Sequence, residues 1–162
     1  MTTSTEQDPA LQLIKPFAES TISVVEMMLE SGCTMGEIQP VSVGHRMHEV
    51  TSVIGISGGM TGAISFSIPA EGAMAILERM TGIQPTEVDA DVLDAIGEMA
   101  NMIAGFGKRH METLGLNISL PQVIVGGDYT IYSPRWAQHY WLPMTTDFSE
   151  CSVDVGFDIP KS

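Results

Sequence analysis

The chain has 162 residues, 44% of them hydrophobic and only 17% charged, enough for one domain with a sizeable core and too apolar for disorder over most of its length. Twenty acidic residues stand against seven Lys and Arg, a formal charge of −13, which excludes phosphate-led binding of nucleic acid and adhesion to an anionic membrane surface. Protein partners and small molecules remain.

Residues 1–8 read as a disordered, polar and acidic tail that is no export signal, and residues 9–160 as a single domain. Cys33 and Cys151 stand in no ligand spacing; a disulfide between them stays open, but two lone cysteines without a signal sequence favour a reducing cytoplasm. No apolar run approaches the roughly 20 residues that span a bilayer.

Asp8-Pro9 suits a cap and first turn. Leu11, Ile14, Ala18, Ile22, Val25 and Leu29 then recur with helical spacing up to Gly32. Pro16 either kinks this helix or marks its true start. Glu37–His45, Val50–Ser57 and Met60–Ile68 read as strands, the last two joined by a glycine turn at Ser57-Gly58-Gly59. Ile64, Phe66 and Ile68 alternate with Ser65 and Ser67, the period of a strand with one buried face. A short helix covers Ala70–Thr81, stops at Gly82, and has Met74, Leu77 and Met80 as its apolar positions.

A long helix starts at Thr86 or Asp89, which resemble a capping box, and ends at Leu114-Gly115, where glycine suits a left-handed cap. At about 26 residues it would be roughly 39 Å long. Strands follow at Gln122–Val125, Asp128–Ser133, Gln138–Thr145 and Cys151–Ile159, with Gly126-Gly127 as one of the turns, the pattern of an antiparallel meander. Trp136 and Trp141 suit sheet-face packing or a dimer contact. Each half reads as a long helix followed by antiparallel strands, a degenerate duplication. The expected fold is α+β: two long helices plus a short helix packed on an antiparallel sheet.

The second long helix carries Asp94, Glu98 and Asn101, four and then three residues apart. At about 100° per residue these side chains fall within roughly 60° of one another, with Gly105 on the same stripe a turn later. Val92, Ile96, Met99, Ile103 and Phe106 make the opposite, apolar face. Gly97, Gly105 and Gly107 each cost up to about 1 kcal/mol in a helix interior, which suggests close approach of another backbone, either a partner's or the domain's own sheet. His45, His48, His110 and His139 are scattered and lack the spacing of a helical metal pair, and no phosphate-loop motif is present.

Asp94-Ala-Ile-Gly-Glu98-Met-Ala-Asn101 resembles the [Asp/Ser]-x3-Glu-x2-Asn signature of the CheC/CheX/FliY chemotaxis phosphatases. VIGISGGMTGAISFSIP (residues 53–69) is similar to the hairpin ahead of that family's catalytic helix, and LDAIGEMANMIAG (residues 93–105) to the helix itself. CheC-type members carry two such motifs. Here the first helix has Glu19, Glu26 and Glu30 but no Asn three residues on, so the chain looks most like the CheX branch.

The resemblance implies a pseudo-duplicated CheC/CheX-like fold, a homodimer formed through the sheet, and hydrolysis of the aspartyl phosphate of a CheY-like response-regulator receiver domain. It makes Asn101 the group that orients the attacking water and Glu98 the group that engages the receiver's lysine. Asp94 and Gly105 become partner-binding positions, although Asp94 near a helix N-terminus also suits the macrodipole. It implies no cofactor on this chain, with Mg2+ on the receiver. The other function class is a non-catalytic CheC-like interaction or flagellar-switch module.

Overall fold

The structure, a computed structural model, describes residues 9–41, 45–126, 130–131 and 138–158. The expected tail, the Asp8 cap, Gly127, most of the strand expected at 128–133, Trp136 and Ile159 lie outside them. Among the described residues three helices are present: α1 (Pro9–Leu29), α2 (Ala70–Thr81) and α3 (Ala90–Thr113). The strands are β1 (Cys33–Met35), β2 (Gln39–Pro40), β3 (His45–Arg46), β4 (Val50–Gly58), β5 (Thr61–Ile68), β6 (Leu116–Ile118), β7 (Gln122–Val125), β8 (Thr130–Ile131), β9 (Gln138–Thr146) and β10 (Glu150–Asp158). None of the helices is long and apolar enough to cross a membrane.

One antiparallel sheet runs β1–β9–β10–β5–β4–β6, with β2 also on β9 and β7 also on β4; β3 and β8 form a separate pair. Val50, Ile54, Ile64, Phe66, Val153 and Val155 point to one face and are fully buried, where α1 packs on β9 and β10, and α3 on β4, β6 and β7. Strand alternation thus supplies one apolar face for both helices to cover. On the other face Thr51, Ser65, Ser67, Ser152 and Asp154 are buried, beside Val53 and Trp141. Ser67 Oγ accepts the His48 amide at 2.8 Å and lies 2.9 Å from Thr51 Oγ1.

The expected duplication is visible as an interlocked pair of halves. Strand order reads the same from either edge, with β1/β2, β9 and β10 answering β6/β7, β4 and β5. The edge strands of each half pair with the long strand of the other half, and both edges slip register by one residue at the corresponding place. Gly36 donates to Pro143 O (2.8 Å) at one slip, and Ser119 to Gly55 O (2.9 Å) at the other. This corrects the meander: β7 lies across the sheet from β9. Of the strand expected at Glu37–His45, only β2 (Gln39–Pro40) and His45, the first residue of β3, are strand among the described residues, and 42–44 lie outside them.

Pro16 lies inside α1, and the helix runs on through it. Its missing N–H leaves the Gln12 carbonyl without an intrahelical donor, and His110 on α3 supplies one, with Nε2 3.0 Å from Gln12 O. A carbonyl only accepts, so Nε2 carries the proton here. His110→Ala is therefore expected to destabilise the fold by about 0.5–1 kcal/mol, read as a lower urea midpoint at unchanged slope.

The helix ends at Leu29 rather than at Gly32, with Glu30 in the left-handed region at φ 50°. Arg79 of α2 donates to Leu29 O at 2.9 Å and stacks its guanidinium 4.7 Å over the Phe148 ring. One cation thereby ties the end of α1 to α2 and to the β9–β10 hairpin.

Candidate functional site

Asp89 starts α3: its side chain accepts the Val92 amide at 3.0 Å. The capping role expected of Thr86 falls to this residue alone. Ala95, Ile96, Met99, Ala100, Ile103, Ala104, Gly107 and Met111 continue the buried stripe that Val92 begins. Phe106 does not belong to it. Contrary to the periodicity, it is 53% exposed, and Gly107 takes the buried position one residue later.

With that stripe against the sheet, Asp94, Glu98, Asn101 and Gly105 are all exposed on the outer face of α3. Residues three and four apart on a helix lie about 5–6 Å from one another at Cβ, so Glu98 has Asp94 one turn before it and Asn101 one turn after. No described residue hydrogen-bonds or ion-pairs with these three side chains. Asp91 occupies the first turn of the helix. Asp94 stands in the second, where the macrodipole has faded.

A shallow groove runs along this face. Asp94, Gly97, Glu98 and Asn101 form one wall, and Leu120, Pro121 and Val123, from the edge between β6 and β7, form the other. A second groove on the far side of the ridge lies against Met80, Thr81 and Ile83 and shares Asp94 and Glu98 with the first. Gly105 lines neither. The structure thus brings together Asp94, Glu98 and Asn101 and leaves Gly105 a turn away. The groove's far wall is absent from any reading of the helix alone.

Space around the glycines separates the two explanations for their cost. A Cβ at Gly97 would meet only Val123, at 3.8 Å, one at Gly107 would be in ordinary contact with Ser20 at 3.5 Å, and one at Gly105 would meet nothing within 4 Å. Packing inside the chain requires none of them. Gly105→Ala is expected to stabilise the isolated protein by about 0.5–1 kcal/mol, measured as a raised melting temperature.

Asp91, in the first turn of α3, lines the second groove beside Asp94 and Glu98, whereas the buried titratable groups lie away from the ridge. His139 Nε2 is 2.7 Å from Asp154 Oδ2, both side chains buried. Cys33 and Cys151 are buried free thiols on strands either side of β9. A hydrogen bond to Cys33, reinforced by burial, pushes the Cys151 thiol far above its ordinary range, which suits packing rather than nucleophilic attack. Among the described residues no group of three or more His, Cys, Asp or Glu side chains is placed to hold a metal ion.

Comparison with known proteins identifies the family and the fold. Residues 50–145, from β4 through α3 into β9, match the family model described as chemotaxis phosphatase CheX. The chain is 35% identical over 126 residues to the CheY-P phosphatase CheX of Thermotoga maritima, covering 75% of this chain and 79% of that protein. A crystal structure of CheX from Desulfovibrio desulfuricans superposes with a TM-score of 0.79 at 26% identity, over 91% of this chain and 99% of the other. CheX in the CheX-CheY-BeF3-Mg+2 complex from Borrelia burgdorferi shares the fold, with a TM-score of 0.74 at 22% identity over 90% and 97% of the two chains. With the family model over more than half its length, a curated relative at 35% identity and an α3 ridge carrying the Glu-x2-Asn pair, the chain belongs to the CheX family of chemotaxis phosphatases.

Proposed function

We propose that this protein hydrolyses the aspartyl phosphate of a CheY-like receiver domain. The observation that carries the reading is the pair Glu98 and Asn101, exposed on adjacent turns of α3 without partners among the described residues, above a groove open to a macromolecule. Support comes from the Thermotoga relative, named a CheY-P phosphatase, and from the Borrelia neighbour, described in complex with CheY and BeF3.

The chemistry suits these residue types. In an acyl phosphate the leaving carboxylate is stable, so water needs only to be held in line with the phosphorus. The Asn101 carboxamide oxygen accepts a hydrogen bond from that water while its NH2 donates elsewhere. Glu98 pairs with the receiver's lysine, a charge-assisted contact that sets register. Asp94, on the same ridge, contacts the partner or supports Glu98. The oxygen of water bonds to phosphorus, the bond from phosphorus to the aspartyl oxygen breaks, and the receiver's carboxylate and inorganic phosphate leave. The divalent cation that neutralises the phosphoryl oxygens belongs to the receiver. No nucleophile on this chain is required.

The test is the rate of phosphate loss from phosphorylated receiver domains of the same cell, with wild-type protein and Asn101→Ala in parallel. Acceleration that depends on Asn101 supports the proposal. Binding to a receiver without acceleration would mark a non-catalytic interaction module instead.

A further inference from the structure

Two aliphatic side chains stand proud on either side of the Glu98/Asn101 ridge. Leu120 is 82% exposed and Ile83 is 52% exposed. Each lines one of the two grooves, and those grooves share Asp94 and Glu98. Single exposed aliphatics are ordinary on protein surfaces. A pair bracketing an acidic, unpartnered ridge is not scattered in that sense.

Both are held on firm supports. Ser119, immediately before Leu120, donates its amide to Gly55 O (2.9 Å) and accepts the Gly55 amide on its Oγ (2.8 Å). That hydroxyl donates in turn to Leu120 O at 3.1 Å, and Pro121 follows. Ile83 comes directly after the left-handed cap Gly82 (φ 81°), and its amide donates to Thr81 Oγ1 at 3.1 Å. Backbones braced in this way remove the loop-ordering part of the cost of association and leave only the side-chain part.

The other half of the molecule provides an internal comparison. Seven buried positions of α1 (Leu13, Ile14, Phe17, Ala18, Thr21, Val25, Leu29) align on buried positions of α3, while buried Ser20 and Val24 fall on half-buried Met102 and exposed Phe106; this frame puts Pro16 at the position of Glu98 and Glu19 at that of Asn101. At the matching register slip, Gly36 answers Ser119, so Glu37, exposed, answers Leu120. The half without the polar pair also lacks the aliphatic knob.

We infer that Leu120 and Ile83 are the anchors that seat a phosphorylated receiver domain over the ridge, so that this aliphatic pair sets affinity while Glu98 and Asn101 act on the reacting group. The inference rests on the proposed phosphatase reading and specifies its docking surface. A partner that fits presents a cation beside its phosphoryl group, facing Asp94 and Glu98, with apolar surface on both sides of that cation. Side chains packed near the centre of an interface carry most of its binding energy, and an aliphatic one contributes through the apolar area it buries.

The experiment is steady-state dephosphorylation of a phosphorylated receiver domain by the full chain, with Leu120→Ser, Ile83→Ser, the double variant and Leu120→Glu. Phe106→Ser, an exposed apolar position on α3 outside both grooves, serves as the control. Each single serine variant is expected to raise KM about fivefold, and the double variant and Leu120→Glu more, with kcat within about twofold and Phe106→Ser silent. Melting temperatures should stay at the wild-type value because both side chains are exposed.

An active wild type whose KM is unmoved by these variants overturns the anchors and leaves the phosphatase standing. So does a fall in kcat at constant KM. If the variants change the sedimentation coefficient but not KM, a second copy of the chain covers this surface and the inference fails. A wild type inactive on every receiver but still binding one, with that affinity also weakened by Leu120→Ser, keeps the docking surface and refutes the chemistry.

Discussion

Replacing Asn101 with alanine is expected to lower kcat by about a hundredfold or more while leaving KM within a few-fold of wild type. The side chain is exposed and no described residue depends on it, so the substitution leaves no buried group unsatisfied. Alanine is the better helix former by roughly half a kcal/mol, so the variant should melt at or slightly above the wild-type temperature. On the proposed mechanism, what disappears is the acceptor that holds one water in line with phosphorus. A water misplaced by about an ångström already loses about two orders of magnitude in rate. Because that contact matters only as water closes on phosphorus, kcat and kcat/KM should fall together. Retention of more than about a tenth of the wild-type rate would remove Asn101 from the role of orienting the water.

The polar stripe of α3 was legible because one helix carries all of it: a period of 3.6 is enough to align Asp94, Glu98 and Asn101 whether the helix starts at Thr86 or at Asp89. The hairpin β4–β5 was legible for a similar reason, since its turn glycine, Gly58 at φ 122°, and its alternating strands are local. Of the edge strands, β7 was legible at its exact bounds, Gln122–Val125, and the shorter ones were not. β1, β2 and β6 are two or three residues long, too short for a period of two to register, and each is paired with the opposite half of the chain.

The misplacement of Phe106 has a specific cause. The buried position belongs to Gly107, which carries no apolar side chain to mark it, so the pattern was continued onto its neighbour. The far wall of the groove was invisible for a different reason: Leu120 stands on a bulge whose meaning comes from cross-strand bonds to Gly55. Pro16 was undecidable from the sequence because what rescues the helix is His110, on another helix.

Gly62→Ala is expected to destabilise the fold by about 3 kcal/mol or more, a large share of the roughly 5–15 kcal/mol that holds a domain of this kind together. Gly62 sits on β5 opposite Phe157 of β10, on the seam where the two halves meet. A Cβ there would collide with the Gly156 carbonyl oxygen and come within 2.6 Å of Phe157 Cδ1 and 2.9 Å of Phe157 Cα. Two of these three are backbone atoms of the partner strand, so no rotamer change relieves the clash. The strands must separate, and with them the buried pairs Ile64/Val155 and Phe66/Val153. A lower denaturant midpoint with unchanged slope is the expected readout; an unchanged midpoint would mean that the seam flexes more than close packing permits.

This variant also sharpens the reading of the site. Phosphatase activity of Gly62→Ala should fall in proportion to the folded fraction and return at lower temperature or lower denaturant. Activity of Asn101→Ala should stay low with the chain fully folded. The two losses differ because one residue holds the halves together, whereas the other stands free on the surface that the halves support.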